Sequence, residues 1–195
     1  MRRVILEEWV SLDGYAVDRD GSLDFFPGTE ESRAADRDQL AFLDSVDAIL
    51  LGRRTYELFA GFWPTATTDT EIMADRVNAL PKLVFSNTLQ AAPWGRWAPA
   101  RVVRGDAVAE VRRLKAQDGK DMIVWGSLTL AHALVAADLI DEYRLHVCPV
   151  LVGGGRRPFP DLARYGRLER AAVRSYDSGV VAMRYVPLRR AAASA

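Results

Sequence analysis

Two short stretches of this 195-residue chain combine glycine, hydroxyl and cationic side chains in a pattern that suits a phosphorylated ligand. The first is Gly52-Arg53-Arg54-Thr55-Tyr56-Glu57, which follows the apolar run Ala48-Ile49-Leu50-Leu51. A glycine at a strand end lets a phosphate approach the main chain. Thr55 is placed to begin a helix, whose first amides are free to bind an anion. Arg53 and Arg54 add charged donors suited to a phosphate monoester. The second stretch is Val124-Trp125-Gly126-Ser127-Leu128-Thr129, again strand, glycine and helix, with Ser127 as N-cap. It can hold a second phosphate of the same ligand. Taken singly, the first also reads as an ordinary helix start with solvated arginines, and the second as a plain cap. Two such turns in one sheet fit a dinucleotide, which has phosphates to place in more than one spot. The usual G-x-G-x-x-G fingerprint is absent. Gly153-Gly154-Gly155 leads into Arg156-Arg157-Pro158 rather than a helix, and reads as a flexible turn.

These turns need strands and helices to hold them. Periodicity predicts strands at 4–10, 48–51, 83–85, 101–103, 122–125, 142–152, 168–176 and 180–186. Helices are predicted from Arg33 to Leu43, from Thr55, from Glu71 to Ala79, after an Asp106 cap, and from Ser127 to Ala137. Such alternation implies a largely parallel sheet with helices on both faces, and the last strands can add antiparallel at an edge. Ligands in such sheets bind beyond the carboxyl ends of the strands. Gly14, Gly52-Arg53, Ser86-Asn87 and Gly126-Ser127 all occupy such ends. One domain over residues 1–188, with a frayed tail over 189–195, is the expected organisation.

Composition narrows the partners. The chain has 26 Lys plus Arg against 26 Asp plus Glu, and this balance disfavours a nucleic-acid binder. Cys148 is the sole cysteine, so no intrachain disulfide forms, which fits a cytoplasmic protein. It sits in an apolar strand and reads as a packed small hydrophobe. Glu7 and Glu8 interrupt the stretch a signal peptide would need, and no run approaches the ~18 apolar residues of a membrane helix. His132 and His146 lack metal-ligand spacing, so no metal site is expected.

The motifs, in order, resemble the dihydrofolate reductase superfamily. They are more similar still to the reductase domain of the bifunctional deaminase-reductase of bacterial riboflavin biosynthesis and its stand-alone relatives. The matching pieces are Ser11-Leu12-Asp13-Gly14, Gly52-Arg53-Arg54-Thr55-Tyr56-Glu57, Lys82-Leu83-Val84-Phe85-Ser86 and Val124-Trp125-Gly126-Ser127. Asp138 to Val147, Pro149 to Gly153 and Pro158-Phe159-Pro160-Asp161 complete the series. The resemblance implies a three-layer α/β fold with an eight-stranded mixed sheet that binds NADPH. By that resemblance Arg53 and Arg54 face the 2′-phosphate, Thr55 the pyrophosphate, and Ser86 and Asn87 the adenosine end. Gly126 and Ser127 lie under the pyrophosphate and nicotinamide, and Ser11 to Gly14 border the nicotinamide and substrate.

The implied activity is hydride transfer to a small planar nitrogen heterocycle, as in 5-amino-6-(5-phosphoribosylamino)uracil reductase. A true dihydrofolate reductase and a catalytically silent NADPH-binding module are the alternatives. In dihydrofolate reductases a first-helix carboxylate holds the pterin, sixteen residues before the glycine of the G-R-x-T segment. That count from Gly52 reaches Asp36, which equally suits a solvated helix face. Asp13 is the other acid, and it also reads as a turn residue bonding its own backbone. Trp125 stands where those enzymes carry a further glycine, and Leu145 falls in the region of a threonine that supports their acid. Both changes disfavour folate. Trp9, Phe62 and Trp63 can wall the substrate pocket or simply pack in the core. The relatives are often homodimers, and the same is expected here.

Overall fold

The computed structural model describes residues 1–162 and 166–188. The tail expected over 189–195 lies outside the described residues. In chain order the elements are β1 (Val4–Ser11), α1 (Thr29–Leu43), β2 (Val46–Gly52), α2 (Arg53–Phe62), α3 (Ala74–Ala79), β3 (Lys82–Phe85) and β4 (Arg101–Val103). Then follow α4 (Ala107–Lys115), β5 (Asp121–Trp125), α5 (Leu128–Ala136), β6 (Glu142–Cys148), β7 (Leu168–Ser175) and β8 (Val181–Pro187).

The described strands form one eight-stranded sheet in the order β4-β3-β2-β5-β1-β6-β8-β7. Pairing is parallel from β4 through β6 and antiparallel for β6 with β8 and β8 with β7. The expected mixed sheet with an antiparallel C-terminal edge is therefore the one observed.

Strand residues alternate between two apolar layers, as a period of two requires. Leu6, Leu50 and Val124 pack with Val111 and Leu114 of α4 and Leu130 and Leu134 of α5. Ile49, Leu51, Ile123 and Trp125 pack with Leu43 of α1, Tyr56 of α2 and Val77 of α3. Asp106 caps α4 by accepting the Val108 and Ala109 amides at 2.8 and 3.2 Å.

Several boundaries differ from the sequence expectation. Helix α1 begins at Thr29, before the expected Arg33, because its first turn carries Glu30 and Glu31 rather than apolar residues. Those acids suit the positive helix end, and Glu31 also accepts the Gly28 amide at 2.9 Å. Helix α3 is shorter than expected, since hydrogen-bonded turns occupy the residues just before Ala74. Strand β6 stops at Cys148 instead of Val152, where Pro149 has no amide to continue a ladder.

The triple glycine is a docking point rather than a loose turn. Asp13 accepts the Val152 and Gly153 amides at 3.1 and 2.7 Å. Val17 and Arg156 form an antiparallel bridge, and Arg19 donates to the Gly153 carbonyl at 2.9 Å. Gly155, at φ 138°, lies so close that a Cβ there would run into the Val17 carbonyl. Gly155→Ala is therefore expected to lose about 1–3 kcal/mol of stability in urea denaturation, through both backbone strain and this contact.

Candidate active site

The two glycine turns lie side by side because β2 and β5 are neighbours in the sheet. The Gly52 amide donates to Ser127 Oγ at 2.8 Å, and the Ser127 amide donates to Thr55 Oγ1 at 2.9 Å. Ser127 Oγ in turn donates to the Trp125 carbonyl at 2.9 Å. Gly126 and Ser127 both adopt left-handed conformations, at φ 52° and 56°. A Cβ on Gly126 would press on Thr55 Cγ2 at 3.3 Å, so glycine is what lets the turns close on each other. One expectation is corrected here. Ser127 precedes α5, but its hydroxyl turns back to the strand and makes no side-chain cap. The N-termini of α2 and α5 consequently converge, and their positive ends favour an anion between them.

A cavity of about 1430 Å³ runs past both turns. Gly52, Arg53, Arg54, Thr55, Gly126 and Ser127 line it. Arg53 is committed to neighbours, donating to Glu57 at 2.7 Å and Thr88 at 3.1 Å. Arg54 is exposed and makes no hydrogen bond or ion pair among the described residues. Thr55 Oγ1 is used as an acceptor, which leaves its hydroxyl hydrogen for a ligand oxygen. Ser86 accepts the Thr88 and Leu89 amides, and Asn87 accepts the Gly105 amide at 2.7 Å. Both still line the cavity, where they shape the loop after β3.

The crevice itself comes from strand register. The ladder between β1 and β5 ends at Glu7 opposite Trp125, whereas the β1–β6 ladder continues to Ser11 opposite Cys148. Past Glu7 the β5 side of β1 is open. Helices α1 and α5 leave these strands on opposite faces of the sheet, which makes this the topological switch point where such folds bind ligands.

On the α1 face the cavity is walled by Trp9, Phe26, Phe59, Phe62 and Trp63. Trp9 stacks on His146 at 4.6 Å between ring centroids. Trp63 meets Phe62 edge to face at 5.2 Å. Trp125 also lines the cavity, is 7% exposed, and is fixed in place by its Nε1, which donates to Glu7 at 2.8 Å. Asp36 lines the cavity, is nearly buried and accepts the Ser32 hydroxyl at 2.6 Å. Burial pushes its carboxyl up, and the charge of Glu71 adds to this.

The Ser11–Gly14 turn is a second correction. Ser11, Asp13 and Gly14 are not part of the cavity lining. Asp13 takes the Ser11 hydroxyl at 2.7 Å besides the two amides near the triple glycine. These bonds hold its carboxyl down at about 2, so it is a poor proton donor. It acts as a strut between loops, not merely as a turn bonding itself. Leu145 is not on this cavity, while the adjacent His146 is. Cys148 is buried, and burial raises its thiol to about 11, as a packed hydrophobe requires.

Four residues that the sequence reading did not select dominate the polar lining: Glu7, Glu8, Gln39 and His146. Each is at least nine-tenths buried. Glu7 is held by Trp125 and, at 3.3 Å, by Arg144. Burial nonetheless pushes its carboxyl up to about 7, against the lowering effect of the Arg144 charge and the Trp125 bond. Burial lowers His146 to about 4, helped by Arg144, so the ring is neutral near pH 7. Gln39 Nε2, His146 Nδ1 and Glu8 Oε1 have no hydrogen-bond partner among the described residues. The signal was in the sequence. Two consecutive acids inside a central strand must put one carboxylate into each covered face, and neither layer is water.

This architecture is a dihydrofolate reductase-like fold. Residues 2–182 match the RibD C-terminal domain, and the chain belongs to that family. Protein YyaP of Bacillus subtilis (strain 168) is 31% identical over 186 residues, covering 94% of each chain. A structure from Shewanella sp. PV-4, named for riboflavin biosynthesis, superposes with TM-score 0.74 at 24% identity, covering 96% of this chain and 99% of the other. Dihydrofolate reductase from Enterococcus faecalis, complexed with NADP(H), superposes with TM-score 0.61 at 12% identity, covering 96% and 97%.

Glu7 also sets a pH dependence. The folded protein holds this proton up to about 7, whereas a free glutamate releases it near 4.5. Between those values the folded state binds more protons than the unfolded one, so stability falls as pH rises. Urea denaturation is expected to show Glu7→Gln flattening this fall by about 1–3 kcal/mol between pH 5 and pH 8.

Proposed function

We propose that this protein is an NADPH-dependent reductase acting on a small, planar, nitrogen-rich heterocycle, as 5-amino-6-(5-phosphoribosylamino)uracil reductase does. The observation that carries this reading is the interlocked pair of turns at Gly52 and Gly126, opening onto the crevice beside β1. The NADP(H) complex of the structurally similar dihydrofolate reductase supports it, as does membership of the RibD C-terminal domain family.

When bound, NADPH supplies the hydride. The chain's own work is to place donor and acceptor and to move one proton. The α2 and α5 N-termini receive the pyrophosphate. Arg54, with its guanidinium uncommitted, receives the 2′-phosphate, and Arg53 serves through its bridge to Thr88. The aromatic wall around Trp9 and Trp63 stacks on the flat substrate and excludes water. Glu7 delivers the proton to the reduced C=N or C=O bond. A carboxyl poised near 7 can both give and regain a proton at neutral pH. Asp36 lies across the same pocket and orients the substrate's N–H groups.

The reading extends to assembly. Strand β7 is an edge strand, exposed along nearly its whole length, with Leu168 and Val173 among its exposed apolar side chains. A second copy pairing there would cover the edge. Sedimentation is expected to give a dimer, and Val173→Lys a monomer.

The direct test is NADPH binding followed by tryptophan quenching, then turnover on pyrimidine and pteridine substrates. Arg54→Ala is expected to weaken NADPH about tenfold and leave NADH unchanged, since only NADPH carries the 2′-phosphate. Equal losses for both cofactors would refute that role. Glu7→Gln should keep NADPH affinity and lose kcat by about a hundredfold, within the usual range for a removed general acid. NADPH binding without turnover on any such substrate would leave a cofactor-binding module instead.

A further inference from the structure

Glu8 is a buried acid of the crevice with an oxygen atom that has no hydrogen-bond partner among the described residues. It is 5% exposed, it lines the cavity, and the unpartnered oxygen is Oε1. Leaving such a group unsatisfied opposes folding. Its position is specific. It is the first residue of β1 beyond the ladder to β5, so it stands where the crevice opens. It shares a strand face with Val10, which packs on Ala16 and on Leu128 at the start of α5. Its carboxyl therefore looks into an apolar slot next to the Gly126-Ser127 turn. Burial, with the charge of Glu7 added, raises that carboxyl well above the usual range and so favours its protonated form.

A neutral carboxylic acid presents one donor and one acceptor side by side. Its natural complement is a planar group with the opposite pair, and a primary amide is the simplest. A flat ring that enters between β1 and the Gly126 turn, carrying a primary amide, would satisfy both atoms at once. We propose that Glu8 reads the carboxamide of the nicotinamide ring through a paired donor–acceptor contact. This assignment rests on the NADPH reading above. It makes Glu8 a determinant of which nicotinamide derivatives bind, and leaves proton transfer to Glu7 on the opposite face of the strand.

The test compares wild type, Glu8→Gln and Glu8→Leu by equilibrium binding, with thermal melts alongside. The ligands are NADPH, 2′-phospho-ADP-ribose (which lacks the nicotinamide) and the 3-acetylpyridine analogue, in which a methyl replaces the amide nitrogen. Glu8→Leu is expected to weaken NADPH about tenfold or more, leave 2′-phospho-ADP-ribose unchanged and melt no lower than wild type. Glu8→Gln, which keeps a donor and an acceptor, should stay within about threefold of wild type for NADPH. The acetylpyridine analogue should bind wild type more weakly than NADPH, and Glu8→Leu should no longer distinguish the two. Equal NADPH affinity in Glu8→Leu, or equal losses for both nucleotides, overturns the assignment while the reductase reading stands. A loss confined to the heterocyclic substrate also overturns it. Wild type that binds no NADPH sinks the reductase reading and this assignment together.

Discussion

Two parallel ladders end at different heights on β1, and the site depends on that difference. The pairing with β5 stops at Glu7, while the pairing with β6 runs on to Ser11. The gap would be a defect if β5 simply frayed. Instead its chain turns sharply through two left-handed residues and is locked to the neighbouring β2 turn by reciprocal hydrogen bonds. Because each turn supplies the other's partner, neither can move alone. The convergence of two helix N-termini follows directly, and so does a crevice with one charged mouth and one apolar floor.

The polar groups around this crevice are arranged at a cost to the fold. A buried carboxyl with an empty valence opposes folding, and so does a glutamine amide or imidazole nitrogen left without a partner. Glu8, Gln39 and His146 all stand in that position, and all three face one cavity. Elsewhere, Glu142 gathers Arg3, Arg144 and Arg184, and Lys115 meets Asp141. Outside the cavity, Arg76 Nε and Trp97 Nε1 are also buried without a hydrogen-bond partner among the described residues, so such atoms gather at the crevice without being confined to it. The turn over residues 11–14 belongs to the scaffold, because Asp13 spends its lone pairs on the backbone around Gly153, while Ala16, Val17, Gly21 and Ser22 of the following loop line the cavity.

Much of the fold was legible from the sequence. Each expected strand is present, as is the Asp106 cap, because strand alternation and capping chemistry are local. Helix α1 was misplaced at its start, since its first turn is stabilised by charge rather than by an apolar stripe. Strand β6 was drawn too long, since an apolar run continues past Pro149 although its hydrogen bonding cannot. At the site, the glycine turns were found from composition and spacing. Ser127 was given the wrong partner, because its left-handed backbone turns the hydroxyl toward a residue far away in sequence. Trp125 does line the cavity, and its bond to Glu7, 118 residues away in sequence, was not legible locally.

By itself the sequence determined the alternation of strands and helices, the glycines at strand ends and the cations beside them. All of these follow from neighbours a few residues apart. Only the tertiary structure decided which acids matter. Glu7 and Glu8 are adjacent in the chain, but the strand sends them to opposite faces, and burial then changes their proton affinity. Gln39 and His146 come from a helix and a strand more than a hundred residues apart. Desolvation and long-range contact create the chemistry of such groups, and neither is encoded in any short stretch of residues.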